Sequence, residues 1–179
     1  GKPRLKEALQ NADYDYICRL GLEQISAGSH ILDVNVGMPG LDEVEALSKA
    51  VLALQGITDT PLQIDTSNYE AMERAMRLYN GKPMLNSVNG KAESLEKVLH
   101  LVKKYGAVVV ALCLDDSGIP LDVAARVAIA EKIIAKAAEY GIAAHNIVVD
   151  PLALTISTGG DNAKVACEVI AAIQARGIK

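Results

Sequence analysis

The chain has 179 residues, of which 50% are hydrophobic, and this length allows one domain with a sizeable core. Its aromatic residues are six Tyr without Phe or Trp, which argues against a stacking platform for nucleic acid, and the net charge of −4 gives no attraction for a polyanion. Cys18, Cys113 and Cys167 lie far apart without a CxxC pair, which favours reduced thiols in a cytoplasmic protein. No apolar run approaches the roughly 20 residues of a membrane helix, so we expect neither a nucleic-acid nor a membrane partner.

Short apolar runs alternate with longer segments of helical periodicity along the chain. The apolar runs have the character of parallel strands covered on both faces, and they lie at residues 31–36, 62–66, 83–86, 108–114 and 147–149. The helical segments lie at residues 4–27, 42–55, 69–79, 92–105, 121–140 and 162–175. Strands that alternate with helices in this way predict βαβ units.

The alternation begins and ends with a helix. Pro3 lies where a first helical turn favours proline, and no strand precedes it. A sheet cut in this way exposes strand edges, which proteins normally pair or cover. We therefore expect one strand before Gly1 and about two after Lys179, so that residues 1–179 form a single, incomplete domain of a homo-oligomer or a longer chain. The alternative is a complete five-stranded, doubly wound domain.

Each predicted strand ends in Asp or Asn at its C-terminal side. Ligands of parallel α/β proteins bind at the carboxyl ends of the strands, so these side chains predict a ligand site. Side chains alternate along a strand, so Asp33 shares a face with Asn35, and Gln63 shares a face with Asp65. The polar strand ends are Asp33 and Asn35, Asp65, Asn86 and Asn89, Asp115 and Asp116, and Asp150.

Helix capping is the competing interpretation, because Asp and Asn are favoured at N-caps and in turns. It fits Asp42, Asp116 and Asp161, each of which precedes a predicted helix. It fits Asp65 and Asn86 less well, because these residues lie inside a strand or directly at its end.

The residue types at the strand ends exclude several reaction classes. His30 and His145 precede strands and His100 lies within a helix, so we expect structural roles for all three. No Lys ends a strand, Cys113 has no apparent base beside it, and the carboxylates lack metal-ligand spacing, so we expect no Schiff base, thiol nucleophile or bound metal. The remaining carboxylates and amides suit a neutral, planar heterocycle edged with N–H donors and a carbonyl, such as a pterin.

Four stretches, in register along the chain, resemble the strand ends of the pterin-binding domain family. They are LDVNVGMPGLDE (32–43), LQIDTSN (62–68), PMLNSVNG (83–90) and VVDPL (148–152). The loops NVGMPGLDE and NSVNG are more similar to the methyltetrahydrofolate methyltransferase branch than to the related dihydropteroate synthases. That branch contains the folate domain of cobalamin-dependent methionine synthase and the methyltetrahydrofolate:corrinoid iron–sulfur protein methyltransferase. The resemblance implies an incomplete TIM (β/α)8 barrel, with about five parallel strands and six helices present.

The resemblance also implies a function and a set of binding residues. Asp65, Asn86 and Asp150 would hydrogen-bond the pterin ring, and Asn35 would orient the site. The enzyme would be a transferase of one-carbon metabolism that passes the N5-methyl of methyltetrahydrofolate, its substrate, to a corrinoid cobalt. The cobalamin would be carried by a partner protein or domain, and this chain would bind no metal. The resemblance places the family's N5-contacting Asn on a seventh strand, to which we expect no residue of 1–179 to correspond, so the catalytic residue is unknown.

Two other functions compete with methyl transfer. The first is a dihydropteroate synthase-type condensation in the same pocket, for which Gly159 and Gly160, ahead of a helix, could bind an anion. Lys82 precedes its strand and lies on the wrong side for such a substrate. The second is a non-catalytic module that binds folate or docks a corrinoid protein.

Overall fold

The computed structural model describes residues 3–155 and 161–178. The chain divides into two compact units, Gly1–Asn86 and Ser87–Lys179. The single domain expected for residues 1–179 stays a prediction.

The first unit contains four helices and the strands that lie between and after them. In chain order these are α1 (Pro3–Gln10), α2 (Tyr14–Ser26), β1 (Leu32–Val34), α3 (Glu43–Gln55), β2 (Leu62–Asp65), α4 (Tyr69–Leu78) and β3 (Met84–Asn89), whose last three residues belong to the second unit. The second unit continues with α5 (Ala92–Tyr105), β4 (Val108–Leu112), α6 (Val123–Glu139), a 3₁₀ turn (Ala144–Asn146), β5 (Ile147–Asp150) and α7 (Asn162–Gln174).

The strands form one sheet in the order β1-β2-β3-β4-β5. The pairings of β1 with β2, β2 with β3, and β4 with β5 are parallel. All five predicted strands are therefore confirmed. No helix in the described ranges is long and apolar enough to cross a membrane.

The helix expected at residues 4–27 is instead two helices, so the described residues contain seven α-helices rather than six. The break lies at Ala12, whose φ of 53° is left-handed. Asp13 then begins α2 as its N-cap, accepting a hydrogen bond of 3.0 Å from the Tyr16 amide. A side chain that satisfies an orphan amide favours a new helix start over a continuous helix.

In the first unit, alternation along the strands separates an apolar face from a polar one. Leu32 of β1 and Leu62 and Ile64 of β2 are buried, on the face that contacts the helices. Gly21 of α2 permits close packing here, because a Cβ at this position would lie 2.9 Å from Leu54 and 3.3 Å from Leu32. The polar residues of the strands lie on the opposite face.

The second unit has its own apolar core. Val109 and Ala111 of β4 are fully buried, as are Leu99 of α5 and Ile133 of α6. A further cluster joins the residue after β4 to α6 and α7 and consists of Cys113, Val127, Ala130, Val169 and Ile173.

The helix caps agree in part with those expected. Asp42 caps α3 by accepting a bond of 3.1 Å from the Glu45 amide, as predicted. Asp116 does not cap a helix, because α6 begins later and Asp122 accepts the Ala125 amide at 2.8 Å. Asp161 occupies the cap position of α7 without a side-chain cap bond.

Candidate functional site

The polar face of β1, β2 and β3 brings five side chains of the first unit together. In the register of the sheet, Asp33 lies beside Gln63, and Asp65 lies beside Asn86. Asn35 follows β1 and reaches Asp65. The structure thus places two of the three predicted pterin ligands, Asp65 and Asn86, next to each other at the carboxyl ends of their strands.

Hydrogen bonds fix the orientation of this cluster. Asn35 accepts the Gly37 amide through Oδ1 at 2.9 Å and donates through Nδ2 to Asp65 Oδ2 at 2.8 Å. Because the oxygen of the Asn35 amide is committed to a backbone N–H, its nitrogen must face Asp65. Gln63 Nε2 likewise donates to Asp33 Oδ1.

Asp33 lies in an environment that disfavours its charged form. Although the Asp33 side chain is exposed, partial desolvation raises the pKa of its carboxyl, and the nearby charge of Asp65 raises it further, while hydrogen bonds from Gln63 and Asn86 oppose the shift. Two carboxylates and three amides therefore converge on one face and offer both acceptors and donors to a ligand.

Asp150, the third predicted ligand, belongs to the second unit and ends β5. Its Oδ1 accepts the Leu152 amide at 2.7 Å, which closes a tight turn over Pro151. Leu152 has a φ of 61°, a left-handed conformation that a branched side chain rarely adopts. The Asp150 carboxylate is therefore oriented by the local backbone.

Cys113 lies close to this turn. Its amide donates to the Asp150 carbonyl at 3.2 Å, and its side chain is fully buried. Burial raises the pKa of the Cys113 thiol to about 11, the charge of Asp150 adds to the rise, and Arg126 opposes it. A thiol that resists ionisation is a poor nucleophile, in agreement with the expectation from the sequence.

Arg126 was missed in the sequence. It belongs to the buried face of α6, is 0% exposed, and donates to the carbonyls of Pro120, Pro151 and Leu152. A signal for it was present: Arg126 precedes Ala130 and Ile133 at helical spacing, so a charged residue occupies an apolar stripe.

Two other polar strand ends form local turns. Asn89 Oδ1 accepts the Lys91 amide at 3.0 Å, and Asp115 Oδ1 accepts the Ser117 amide at 2.9 Å. Local bonds of this kind are typical of Asx turns, so capping and turn formation explain these two residues.

The histidines and the remaining candidates lie elsewhere. His30 and His145 are exposed and precede β1 and β5, and His100 is exposed on α5. Among the described residues, no group of three His, Cys, Asp or Glu side chains is placed to hold a metal ion. The anion site considered at Gly159 and Gly160 lies outside the described residues.

These features define a class of protein: a parallel α/β protein with a cluster of polar side chains at its strand ends, where proteins of this class bind ligands. A family model described as pterin binding enzyme matches residues 3–178. The chain belongs to this pterin-binding family, and the family resemblance stated from the motifs is confirmed.

Two curated relatives are methionine synthases of Mycobacterium leprae (strain TN) and Mycobacterium tuberculosis (strain ATCC 25618 / H37Rv). Each is 28% identical to this chain over 170 residues, which is 92% of the chain and 14% of the relative. The chain therefore spans about a seventh of the length of these relatives.

Two solved structures are similar in fold. The 7,8-dihydropteroate synthase of Vibrio fischeri ES114 has a TM-score of 0.70 at 19% identity, over 92% of this chain and 65% of that one. The dihydropteroate synthase of Xanthomonas albilineans in complex with 7,8-dihydropteroate has a TM-score of 0.72 at 21% identity, over 92% and 62%. The predicted barrel-type α/β fold is thereby confirmed.

Proposed function

We propose that this chain binds methyltetrahydrofolate by its pterin ring and positions the N5-methyl for transfer to a corrinoid cobalt on a partner protein or domain. The observation that carries the proposal is the Asp65–Asn86 pair, which strand register aligns and in which a hydrogen bond from Asn35 orients Asp65. The 28% identity to two methionine synthases over 92% of the chain supports this substrate. The cytoplasmic location expected from the separated cysteines stays a prediction.

The pterin edge and the polar cluster are chemically complementary. A carboxylate accepts two parallel N–H bonds, so Asp65 suits the 2-amino group and the adjacent ring N–H. The amide of Asn86 can donate and accept, and therefore suits the remaining ring atoms. Asp150 is proposed as a further pterin contact on the motif resemblance.

The transfer itself requires orientation more than a covalent catalyst. The methyl group leaves its bonding electron pair on N5, the reduced cobalt supplies the pair for the new bond, and N5 must gain a proton or a strong hydrogen bond. The protein contributes by holding the donor in line with the acceptor and by stabilising charge at N5. No covalent nucleophile is needed for this reaction.

Calorimetric titration of the intact protein with methyltetrahydrofolate tests the proposal. The substitutions Asp65→Asn, Asn86→Ala and Asp150→Asn should each weaken binding about tenfold or more, because each removes a hydrogen bond to a charged or buried partner. Asn68→Ala is the matched control. Asn68 caps α4, accepting the amides of Glu70 and Ala71, and lies outside the polar cluster.

The titrations of the variants and of the control have distinguishable outcomes. The control should retain its affinity while losing about 1 kcal/mol of stability through the missing cap. Unchanged affinity in folded Asp65→Asn and Asn86→Ala proteins would show that the polar face does not bind the pterin.

A further inference from the structure

Arg126 is an unusual residue for the interior of the second unit. Its side chain is 0% exposed, and its bonds go to backbone carbonyls rather than to a carboxylate. Within the described residues its Nη2 is buried without a hydrogen-bond partner. Burying a guanidinium costs desolvation free energy, so its presence in this position indicates a structural or functional role.

The bonds of Arg126 converge on the turn that carries Asp150. Nη1 donates to the Pro151 carbonyl at 2.7 Å and to the Leu152 carbonyl at 3.0 Å. Nε donates to the Pro120 carbonyl at 2.7 Å, which ties the same guanidinium to the segment before α6. A planar guanidinium can hold several carbonyls in fixed directions, whereas a lysine ammonium cannot reproduce that geometry.

The turn itself needs such support. Leu152 is left-handed, with a φ of 61°, and this conformation costs free energy for any residue with a branched side chain. In the same turn, the Leu152 amide donates to Asp150 Oδ1 at 2.7 Å. A continuous chain of hydrogen bonds therefore runs from Arg126 through Leu152 to the Asp150 carboxylate.

We propose that Arg126 is a positioning residue for ligand binding: it holds the Asp150–Leu152 turn and so aims the Asp150 carboxylate at the pterin. This inference rests on the proposed function, in which Asp150 contacts the pterin ring. Arg126 does not touch the ligand and acts through the turn. The opposing effects of Arg126 and Asp150 on the pKa of the Cys113 thiol agree with both charges acting in the same buried region.

A double-mutant cycle separates positioning from general stabilisation. Calorimetry with methyltetrahydrofolate is performed on the intact protein and on its Arg126→Lys, Asp150→Asn and Arg126→Lys/Asp150→Asn variants. Arg126→Lys should weaken binding about tenfold in the parent, but less than about twofold in the Asp150→Asn background, because residues joined through one hydrogen-bond network are coupled. An equal loss in both backgrounds, or no loss in a folded Arg126→Lys protein, would overturn the proposal.

Arg176→Lys provides the matched control. Arg176 also donates to a backbone carbonyl, that of Ala172 at 2.8 Å, but it is exposed and pairs with Glu131. The same change of residue type at this position should leave the affinity unaltered. A comparable loss of affinity in Arg176→Lys would show that any lost arginine weakens binding, against a specific role for Arg126.

Hydrogen exchange on the unsubstituted protein answers the question if Arg126→Lys does not fold. Binding energies are reciprocal, so a ligand whose binding depends on this turn must in turn stabilise it. Saturating methyltetrahydrofolate should slow exchange at the Arg126 Nη1 protons, which bond the turn, and at the Leu152 amide several-fold. Unchanged exchange at both positions in the saturated protein would contradict the inference.

The two proposals fail in different ways. If the parent protein does not bind methyltetrahydrofolate, the proposed function is wrong, and the role of Arg126 in binding this ligand is wrong with it. If the parent binds and Asp150→Asn weakens binding, but Arg126→Lys does not, the pterin site stands and only the role of Arg126 is wrong.

Discussion

Asp33 sits in the polar cluster with its pKa raised, by partial desolvation first and then by the Asp65 charge. A group whose folded pKa is raised favours the protonated form in the folded state. Its contribution to stability is present below the unfolded pKa, roughly 3.9 for Asp, and is lost as pH rises through the folded value. At neutral pH, the charge of this carboxylate therefore lowers the stability of the folded protein.

Replacing Asp33 by Asn should remove that cost. The Asn oxygen can accept the bond from Gln63, and its amide can face Asp65 without repulsion. Asp33→Asn should raise the midpoint of urea unfolding at pH 7, and its advantage over the parent should shrink as the pH falls toward about 4. Asp59→Asn, at an exposed site outside the polar cluster, should show no such trend. A destabilised Asp33→Asn protein at pH 7 would contradict the assignment of Asp33 as a carboxyl with a raised pKa.

A second prediction at the residue scale concerns the reactivity of the Cys113 thiol. With its thiol pKa at about 11, only about one molecule in a thousand carries the reactive thiolate at pH 8. Iodoacetamide should therefore label exposed Cys167 in the folded protein and reach Cys113 only after denaturation. Peptide mass spectrometry reads the two sites separately. Rapid labelling of Cys113 in the native protein would show that its surroundings are open or that its pKa is not raised.

Residues at strand ends could be predicted from the sequence because the strand pattern fixes where they lie. Asp65 and Asn86 follow apolar runs, so their shared edge follows from the parallel arrangement alone. The bond between Asn35 and Asp65 could not be predicted, since it depends on a side-chain rotamer. Arg126 was missed because charged residues in helices usually face solvent, and its carbonyl partners come from two separate loops.

At the scale of elements, a glycine at the end of β3 controls how closely neighbouring segments approach. A Cβ on Gly90 would lie 3.0 Å from the Leu114 carbonyl, 3.0 Å from Ile129 and 3.1 Å from the Asp115 Cβ. The Gly90 amide also donates to the Leu114 carbonyl at 2.8 Å, and its own carbonyl accepts from Lys132 at 2.7 Å. The strand end is thus held on both sides, with little freedom to move.

Gly90→Ala should consequently destabilise the protein by about 1–3 kcal/mol, the usual cost of overpacking a fixed site. Gly56→Ala is the control: Gly56 has a φ of −75° and a Cβ there would find its nearest neighbours at 3.4 Å. That change should be neutral or stabilise by about 0.4–1 kcal/mol, because alanine restricts the unfolded chain. Urea unfolding of both variants measures the difference, and equal stabilities would refute the tight approach at Gly90.

Element boundaries were harder to predict than the elements themselves. The strands and helices follow from apolar periodicity, which tolerates an error of a few residues. The break at Ala12 and the start of α6 at Asp122 instead depend on which of several Asp residues captures an amide. Neighbouring candidates such as Asp115, Asp116 and Asp122 look alike in sequence, and the tertiary contacts decide between them.

At the scale of the whole molecule, the fold alone does not determine which reaction the protein catalyses. The likeness to dihydropteroate synthases at 19–21% identity concerns the fold, which hosts more than one reaction. The methionine synthases share more sequence, but this chain spans only 14% of their length. A pterin pocket at the strand ends would serve methyl transfer and condensation equally well. The reaction must therefore be decided by offering the intact protein both sets of substrates.

The intact protein should convert methyltetrahydrofolate and cob(I)alamin to tetrahydrofolate and methylcobalamin, followed by the loss of cob(I)alamin absorbance. Asp65→Asn and Asn86→Ala should lower kcat/KM about tenfold or more, because weakened donor binding and misplaced reactants both raise the barrier. Asn68→Ala should remain close to the parent. A partner-borne corrinoid should react faster than the free cofactor, since docking also orients the cobalt.

The opposite outcomes each assign a different function. Formation of dihydropteroate from a hydroxymethyl-dihydropterin diphosphate and p-aminobenzoate, without methyl transfer, would identify a condensing enzyme. Tight pterin binding without either reaction would identify a non-catalytic folate-binding module. Because the same Asp65 and Asn86 variants should lose pterin affinity in all three cases, the binding site and the reaction are tested independently. An error about the acceptor would leave the proposed pterin site standing.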